Sequence, residues 1–322
     1  MKPLDFIGAI ELAYDRTESD SAWLKQLTSF VAPAFGTGSH MTAYFFDIIG
    51  QEGQVGEAAS AGAGAYGREH YAKQHALGAN DRPTRVVYEC DMFTLLSRVV
   101  GKETATRTIR GAGMLGEDAL GLRANVTHES GLLFTTQVDR SYRIRQRQLW
   151  TRFAAHVGAA LRLRRASAAT SPDAALAVLT PRGRLEHGVP AIIAARDEVA
   201  SAARDIDRAR GKLRRVDPDE ASALWRAMVR GEWSLVEWLD HDDKRFLLVQ
   251  PNPIPIAGRK ALTRREREVV ACAAMGHSNK LIAYDLGLST GTVSVLLGRA
   301  AKKLGVSGRV ALIRAFREEP PA

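Results

Sequence analysis

Cysteine is scarce in this chain of 322 residues: there are two, Cys90 and Cys272, far apart in sequence. That excludes a disulfide-stapled scaffold, a CxxC zinc site and a dithiol redox pair, and it fits a reducing cytosol. Long apolar runs are missing as well. The longest stretch free of Asp, Glu, Lys and Arg, Gln26 to Phe46, contains Pro33, Gly36, Gly38, Ser39 and His40 and makes a poor membrane span. Asp5 and Glu11 interrupt the N-terminus, which has no apolar core of a signal peptide. No internal repeat at solenoid periods occurs. No GxSxG, HExxH or P-loop GK[ST] occurs either, so the common hydrolase and nucleotidase signatures are absent. With 45% hydrophobic and 25% charged residues, the composition is that of an ordinary soluble globular protein. Its length suits two or three domains.

Lysine is also scarce, 10 residues against 35 arginines, which reads as genome composition bias. The net charge is +9, and its distribution is uneven. From Gly258 to Ala322 there are twelve Lys or Arg against five Asp or Glu, a net of +7, which leaves +2 for the other 257 residues. One small terminal segment therefore carries the electrostatic footprint of a nucleic-acid-binding module.

The rest of the chain reads as mixed helix and strand. Asp20 caps a helix with Trp23, Leu24, Leu27, Phe30 and Val31 on one side. Met41–Ile49 and Gln54–Ala61 read as strands, Arg68–Leu77 as a short helix, Arg85–Cys90 as a strand and Met92–Val100 as a helix. Ala119–Val126 and Leu132–Val138 flank a hairpin with one glycine, and Tyr142–Arg165 is a long helix. This order of elements resembles the GAF and PAS family of α+β sensor domains, which implies an antiparallel sheet flanked by helices over residues 1–165. A linker, 166–175, precedes a smaller PAS-like α+β segment, 176–250, with strands at Trp233–Leu239 and Arg245–Gln250. Within it, Val199, Ile206 and Leu213 lie seven residues apart, a seam more in keeping with a helix on its own sheet than with a coiled coil. A Pro-rich linker, 251–258, leads to the basic segment 259–322.

In that segment local signals agree. Thr263-Arg-Arg-Glu266 is a capping box, and Ser278, Ser289 and Ser307 are placed to cap three further helices. Gly276, Gly287 and Gly305 stop the first three. Four short, well-capped helices make an all-α helix-turn-helix module.

The segment strongly resembles the LuxR-type helix-turn-helix family. The resemblance rests on Leu262-Thr263, Arg265-Glu266, Glu268-Val269, Gly276, Ser278-Asn279-Lys280, Ile282-Ala283, Leu286, Leu288-Ser289, Thr292-Val293, Lys303-Leu304, Val306, Arg309 and Ala311. It implies a cytoplasmic bacterial transcription regulator that binds double-stranded DNA as a homodimer, its third helix in the major groove. RNA polymerase is a further candidate partner, and any small-molecule signal is unidentified. Three residues depart from the family pattern: Leu281 where glutamate is common, Ser294 where lysine is frequent and Leu296 where histidine is frequent.

On a helical wheel Val293, Leu297, Ala300 and Leu304 form the core stripe. Gly291, Val295, Gly298 and Lys302, flanked by Ser294 and Arg299, face outward. With Asn279, Lys280, Thr292 and Lys303 they make up the expected DNA-contacting set. Val310, Ile313 and Phe316 are the expected dimerisation residues, being more than a short module buries.

Other signals carry less. Gly62-Ala-Gly64-Ala-Tyr-Gly67 matches GxGxxG, but the strand before it lacks the apolar run of a buried parallel strand, so a flexible loop is the better reading. His70 and His75, five apart, read as surface histidines, and both cysteines as packing residues. No cofactor, metal or catalytic residue is expected. Two other readings remain open: a nucleotide-binding or enzymatic module with a DNA anchor, and a regulator acting mainly through protein–protein contacts.

Overall fold

The structure is a computed structural model that describes residues 4–36, 40–49, 52–79, 92–127, 129–166, 172–229, 233–252 and 262–317. The expected strand 85–90 with Cys90, and the Pro-rich linker beyond Asn252, lie outside these residues.

The first sheet is built from β1 (His40–Ile49), β2 (Glu52–Gly62), β3 (Phe93–Leu95), β4 (Asp118–Asn125) and β5 (Ser130–Val138). Their order is β2-β1-β5-β4-β3, antiparallel throughout. Side chains alternate across it. Met41, Ala43, Leu120, Leu122, Leu132 and Phe134 point into one core, while Tyr44, Phe46, Ile48 and Ala119 point into another.

The second core is closed by α3 (Arg68–Ala79) and α5 (Lys102–Gly111), which follows a short α4 (Leu96–Val100). The sequence reading missed α5 and ran one helix over 92–100, where three residues of strand come first. The first core is closed by α1 (Phe6–Tyr14), α2 (Asp20–Val31) and the long α6 (Arg147–Arg165). α6 is apolar on nearly every side, because it packs on β4 and is wrapped by α1. Phe6 and Phe35 meet Trp150 edge-on, at 5.0 and 5.2 Å between centroids.

The second sheet pairs β6 (Ala177–Leu179), β7 (Leu185–Gly188), β8 (Trp233–Leu239) and β9 (Arg245–Pro251) in the order β7-β6-β9-β8. Between them run α7 (Pro190–Ala194), α8 (Arg196–Arg208), α9 (Pro218–Leu224) and a 3-10 turn, Trp225–Val229. Val199, Ala202 and Ile206 of α8 are buried in the chain's own core, so the heptad-spaced residues have no seam left for a coiled coil. The hydrophobic core of this half is continuous with the first core around α6.

The basic end forms α10 (Arg264–Ala274), α11 (Asn279–Leu286), α12 (Thr290–Lys303) and α13 (Arg309–Arg317). The capping box at Thr263 and Glu266 is present, and the Ser278 and Ser289 hydroxyls accept from the Leu281 and Thr292 amides. Ser307 does not begin the fourth helix. Gly308, at φ +83°, stands before Arg309, and its carbonyl accepts the Leu312 amide. Among the described residues no single helix is long and apolar enough to cross a membrane.

Candidate nucleic-acid interface

The module's core is Val269, Val270, Cys272, Ile282, Val293, Leu297, Ala300, Leu312 and Phe316. It fixes the rotation of α12. Gly291, Ser294, Gly298, Arg299 and Lys302 are exposed, and Val295 is 51% exposed. The outward face read from the wheel is therefore the face open to solvent, and it carries no carboxylate.

Other expected contacts are held inside the module. Asn279 is half-buried, donates to Ser294 Oγ at 3.1 Å and accepts from Arg309 at 2.7 Å. It braces α11 against α12 and α13. Thr292 Oγ1 lies 2.9 Å from Ser289 Oγ within the helix cap. Lys303 donates to the buried carboxylate of Glu266 at 2.7 Å, and this charge holds the Glu266 pKa below the usual carboxylate value against the opposing effect of burial. Lys303 is thus committed to the capping box.

The dimer set needs a correction. Phe316 is 4% exposed and packs in the module's own core, and Ile313 packs against that core. Helical spacing brings residues 312 and 316 onto one face, and that face lies on α10. Val310 alone of the three is open, at 78%.

The sequence gave no hint that the module docks on the rest of the chain. α11 lies against α6 and the 3-10 turn. Leu281, the departure from glutamate, is buried in the core of the first half rather than the module's own. Tyr284, three residues on and so on the same face, donates to the Ser222 carbonyl and lies 3.1 Å from His156 Nε2. Arg152 stacks over the Tyr284 ring at 5.0 Å. Lys280 donates to Gln148 Oε1 at 3.1 Å, and Asn125 of β4 donates to the Met275 carbonyl at 2.5 Å. The departure at Leu281 was a visible signal; its meaning required the partner surface.

Residues 260–316 match the family described as "Bacterial regulatory proteins, luxR family". They form a luxR-family helix-turn-helix domain. The chain is similar over 65 residues, at 35% identity, to the HTH-type transcriptional activator RamA of Corynebacterium glutamicum, covering 20% of this chain and 23% of RamA. Over 53 residues it is 42% identical to the transcriptional regulatory protein FixJ of Azorhizobium caulinodans, covering 16% of this chain and 25% of FixJ. The chain thus matches about a quarter of the length of each relative, and both similarities lie within transcription regulators.

The remaining sequence signals resolve differently. β2, which precedes Gly62–Gly67, runs antiparallel to β1, so the βαβ unit that a dinucleotide fingerprint requires is not formed there. The loop is stapled instead of loose. The Tyr66 carbonyl accepts from Thr42 and Ser60 at 2.7 and 2.9 Å, and Tyr66 OH accepts from the Leu115 amide at 2.6 Å. His75 is half-buried rather than on the surface, with Nε2 2.8 Å from Tyr44 OH. Cys272 is buried in the module core, where burial raises its thiol pKa well above the usual value. It lies close to His277 and Asp285, and His277 Nδ1 and Asp285 Oδ2 are 2.6 Å apart.

Proposed function

We propose that the chain is a DNA-binding transcription regulator whose N-terminal half, 1–250, controls the helix-turn-helix domain. The observation that carries this reading is the open outer face of α12, with Arg299 and Lys302 exposed and no carboxylate among them, on a domain of the luxR family. Arg299 supplies a bidentate contact to a base edge, Val295 an apolar one, and Lys302 a phosphate contact. The reading of residues 1–165 as a GAF- or PAS-type sensor rests on the antiparallel sheet with helices on both faces.

Docking leaves the recognition face uncovered while burying Leu281 and engaging Lys280. The joint therefore sets where the module points rather than whether its face is hidden. Two modules must sit ~10 base pairs apart to read one side of a duplex, so their orientation governs paired binding. A signal that changes the stability of the joint shifts the population able to bind as a homodimer. RNA polymerase is a further partner in this reading.

Selection of the full chain against a pool of random duplexes tests it. We expect an enriched site with two half-sites, and log K falling by ~0.9 per phosphate contacted as log salt rises. Affinity that is flat with salt, or no enriched sequence, would overturn the reading.

A further inference from the structure

A cavity of about 570 Å³ opens between the two halves of the molecule, where α4 and α6 face the start of α11. Arg98, Arg147, Arg152 and Lys280 line it, and no carboxylate lines it among the described residues. Arg152 is partly committed: it donates to Ser222 at 2.7 Å and lies 3.4 Å from Asp219, outside the cavity. The other three cations converge without such an offset among the lining residues. Like charges gathered around one cavity repel unless an anion joins them. The rim also holds Ser278 and the first turn of α11, whose leading amides have no intrahelical acceptor and whose dipole favours negative charge. Met92, Phe93 and Leu281 supply an apolar wall, and the volume is that of a small-molecule site.

We propose that this cleft binds a small phosphate-bearing molecule with a flat, apolar body. Guanidinium groups pair with phosphate oxygens through parallel hydrogen bonds, and Lys280 adds a point charge. The apolar wall takes the body. Because half of the site belongs to α11 and half to α4 and α6, the ligand binds the docked arrangement and holds it. The effect on DNA rests on the regulator reading above; the binding itself does not. By linkage, a ligand that favours the docked module alters DNA affinity, and DNA alters ligand affinity by the same factor.

The test is calorimetric titration of the full chain with sodium pyrophosphate and with ADP at fixed ionic strength, with sodium sulfate as the control anion. We expect one site per chain, ADP tighter than pyrophosphate, and sulfate weakest. Arg98→Ala and Arg147→Ala should each weaken ADP roughly tenfold, as loss of a charge-assisted contact does. Hydrogen exchange should slow in both α6 and α11 when ADP is bound. Three results would overturn the proposal: no binding at millimolar ADP, binding that both variants leave unchanged, or variants that weaken duplex binding in a chain that binds neither probe. The last would make the cleft an extension of the DNA surface. A chain that binds ADP but no duplex would sink the regulator reading alone; one that binds duplex but neither probe would sink the cleft alone.

Discussion

His156 of α6 and Tyr284 of α11 meet at 3.1 Å, although 128 residues separate them in sequence. Tyr284 donates its proton to the Ser222 carbonyl, so His156 Nε2 donates to the Tyr284 oxygen and the ring is a neutral tautomer. On its other side Nδ1 lies 3.4 Å from Tyr14 OH of α1. One imidazole thus joins the first helix, the central helix and the DNA-binding module. The ring is fully buried, and burial, with a smaller contribution from the charge of Arg152, draws its pKa down to about 3.

That shift has a definite sign. The folded ring stays neutral down to about pH 3, whereas the unfolded ring takes up a proton near 6.5. Above pH 6.5 neither state is charged at this site and its contribution to stability is complete. As pH falls from 6.5 toward 3 the unfolded state gains a proton that the folded state refuses. Stability falls by ~1.4 kcal/mol per pH unit from this group. Urea unfolding of the wild-type chain and of His156→Gln at pH 7.5 and 5.5 measures it. The wild type should lose ~1 kcal/mol more than the variant across that interval. Equal acid losses would mean that His156 is charged in the fold.

The joint should open when Leu281 is replaced by the residue common in the family. Leu281→Glu places a carboxylate where 5% of the side chain is exposed, and an unpaired buried charge costs several kcal/mol while docked. Undocked, the same glutamate sits in the first turn of α11, where the helix dipole favours it. Tyr284→Phe removes the hydrogen bonds to His156 and Ser222 and should destabilise the joint by ~1–3 kcal/mol. Small-angle scattering should show a larger radius of gyration for Leu281→Glu, with α12 still protected from hydrogen exchange. An unchanged radius in both variants would show that these residues do not hold the joint.

A second close contact feeds the same joint. A Cβ on Gly158 of α6 would lie 2.5 Å from the Asn125 carbonyl, so helix and strand approach there only because the residue is glycine. Asn125 in turn donates to the Met275 carbonyl at the end of α10. Gly158→Ala should push β4 away, cost ~1–3 kcal/mol in overpacking and lower Tm by at least ~3 °C. A melt within one degree of wild type would show that the strand yields without cost.

Local chemistry explains which elements could be read in advance. The capping box, the serine caps and the glycine stops are short-range signals, and they located α10 to α12 because each depends on residues within one turn. The first-sheet strands other than β3 were legible from alternation over long runs. What failed was long-range. Gly131 was read as a turn residue, yet it is in β5, where a Cβ would meet the Ala124 carbonyl at 2.3 Å. Phe316 was read as surplus apolar surface because the depth of the α10 groove is not written in α13. Lys303 was read as a DNA contact because its partner, Glu266, lies 37 residues earlier.

Those last two assignments make the module's side chains separable by experiment. Arg299 and Lys302 are exposed on α12 and Lys303 is tied to Glu266, so three neighbouring cations should behave in three ways. Arg299→Ala should cost ~1–3 kcal/mol on the preferred site and flatten preference at one base pair, because a guanidinium reads guanine bidentately. Lys302→Ala should weaken all sequences about equally and lower the salt slope by about one unit. Lys303→Ala leaves the buried Glu266 carboxylate without its cation. That should destabilise the module by ~1–3 kcal/mol, and its effect on DNA should follow stability rather than sequence. Val295→Ala should do least, with any loss confined to a thymine position. The measurements are binding titrations against single-base site variants at two salt concentrations, with a urea melt of each protein. Should Lys303→Ala keep full stability and lower the salt slope like Lys302→Ala, the Glu266 pairing is not what holds it. Should Lys302→Ala change base preference while Arg299→Ala weakens every site alike, the outward face of α12 has been assigned the wrong way round.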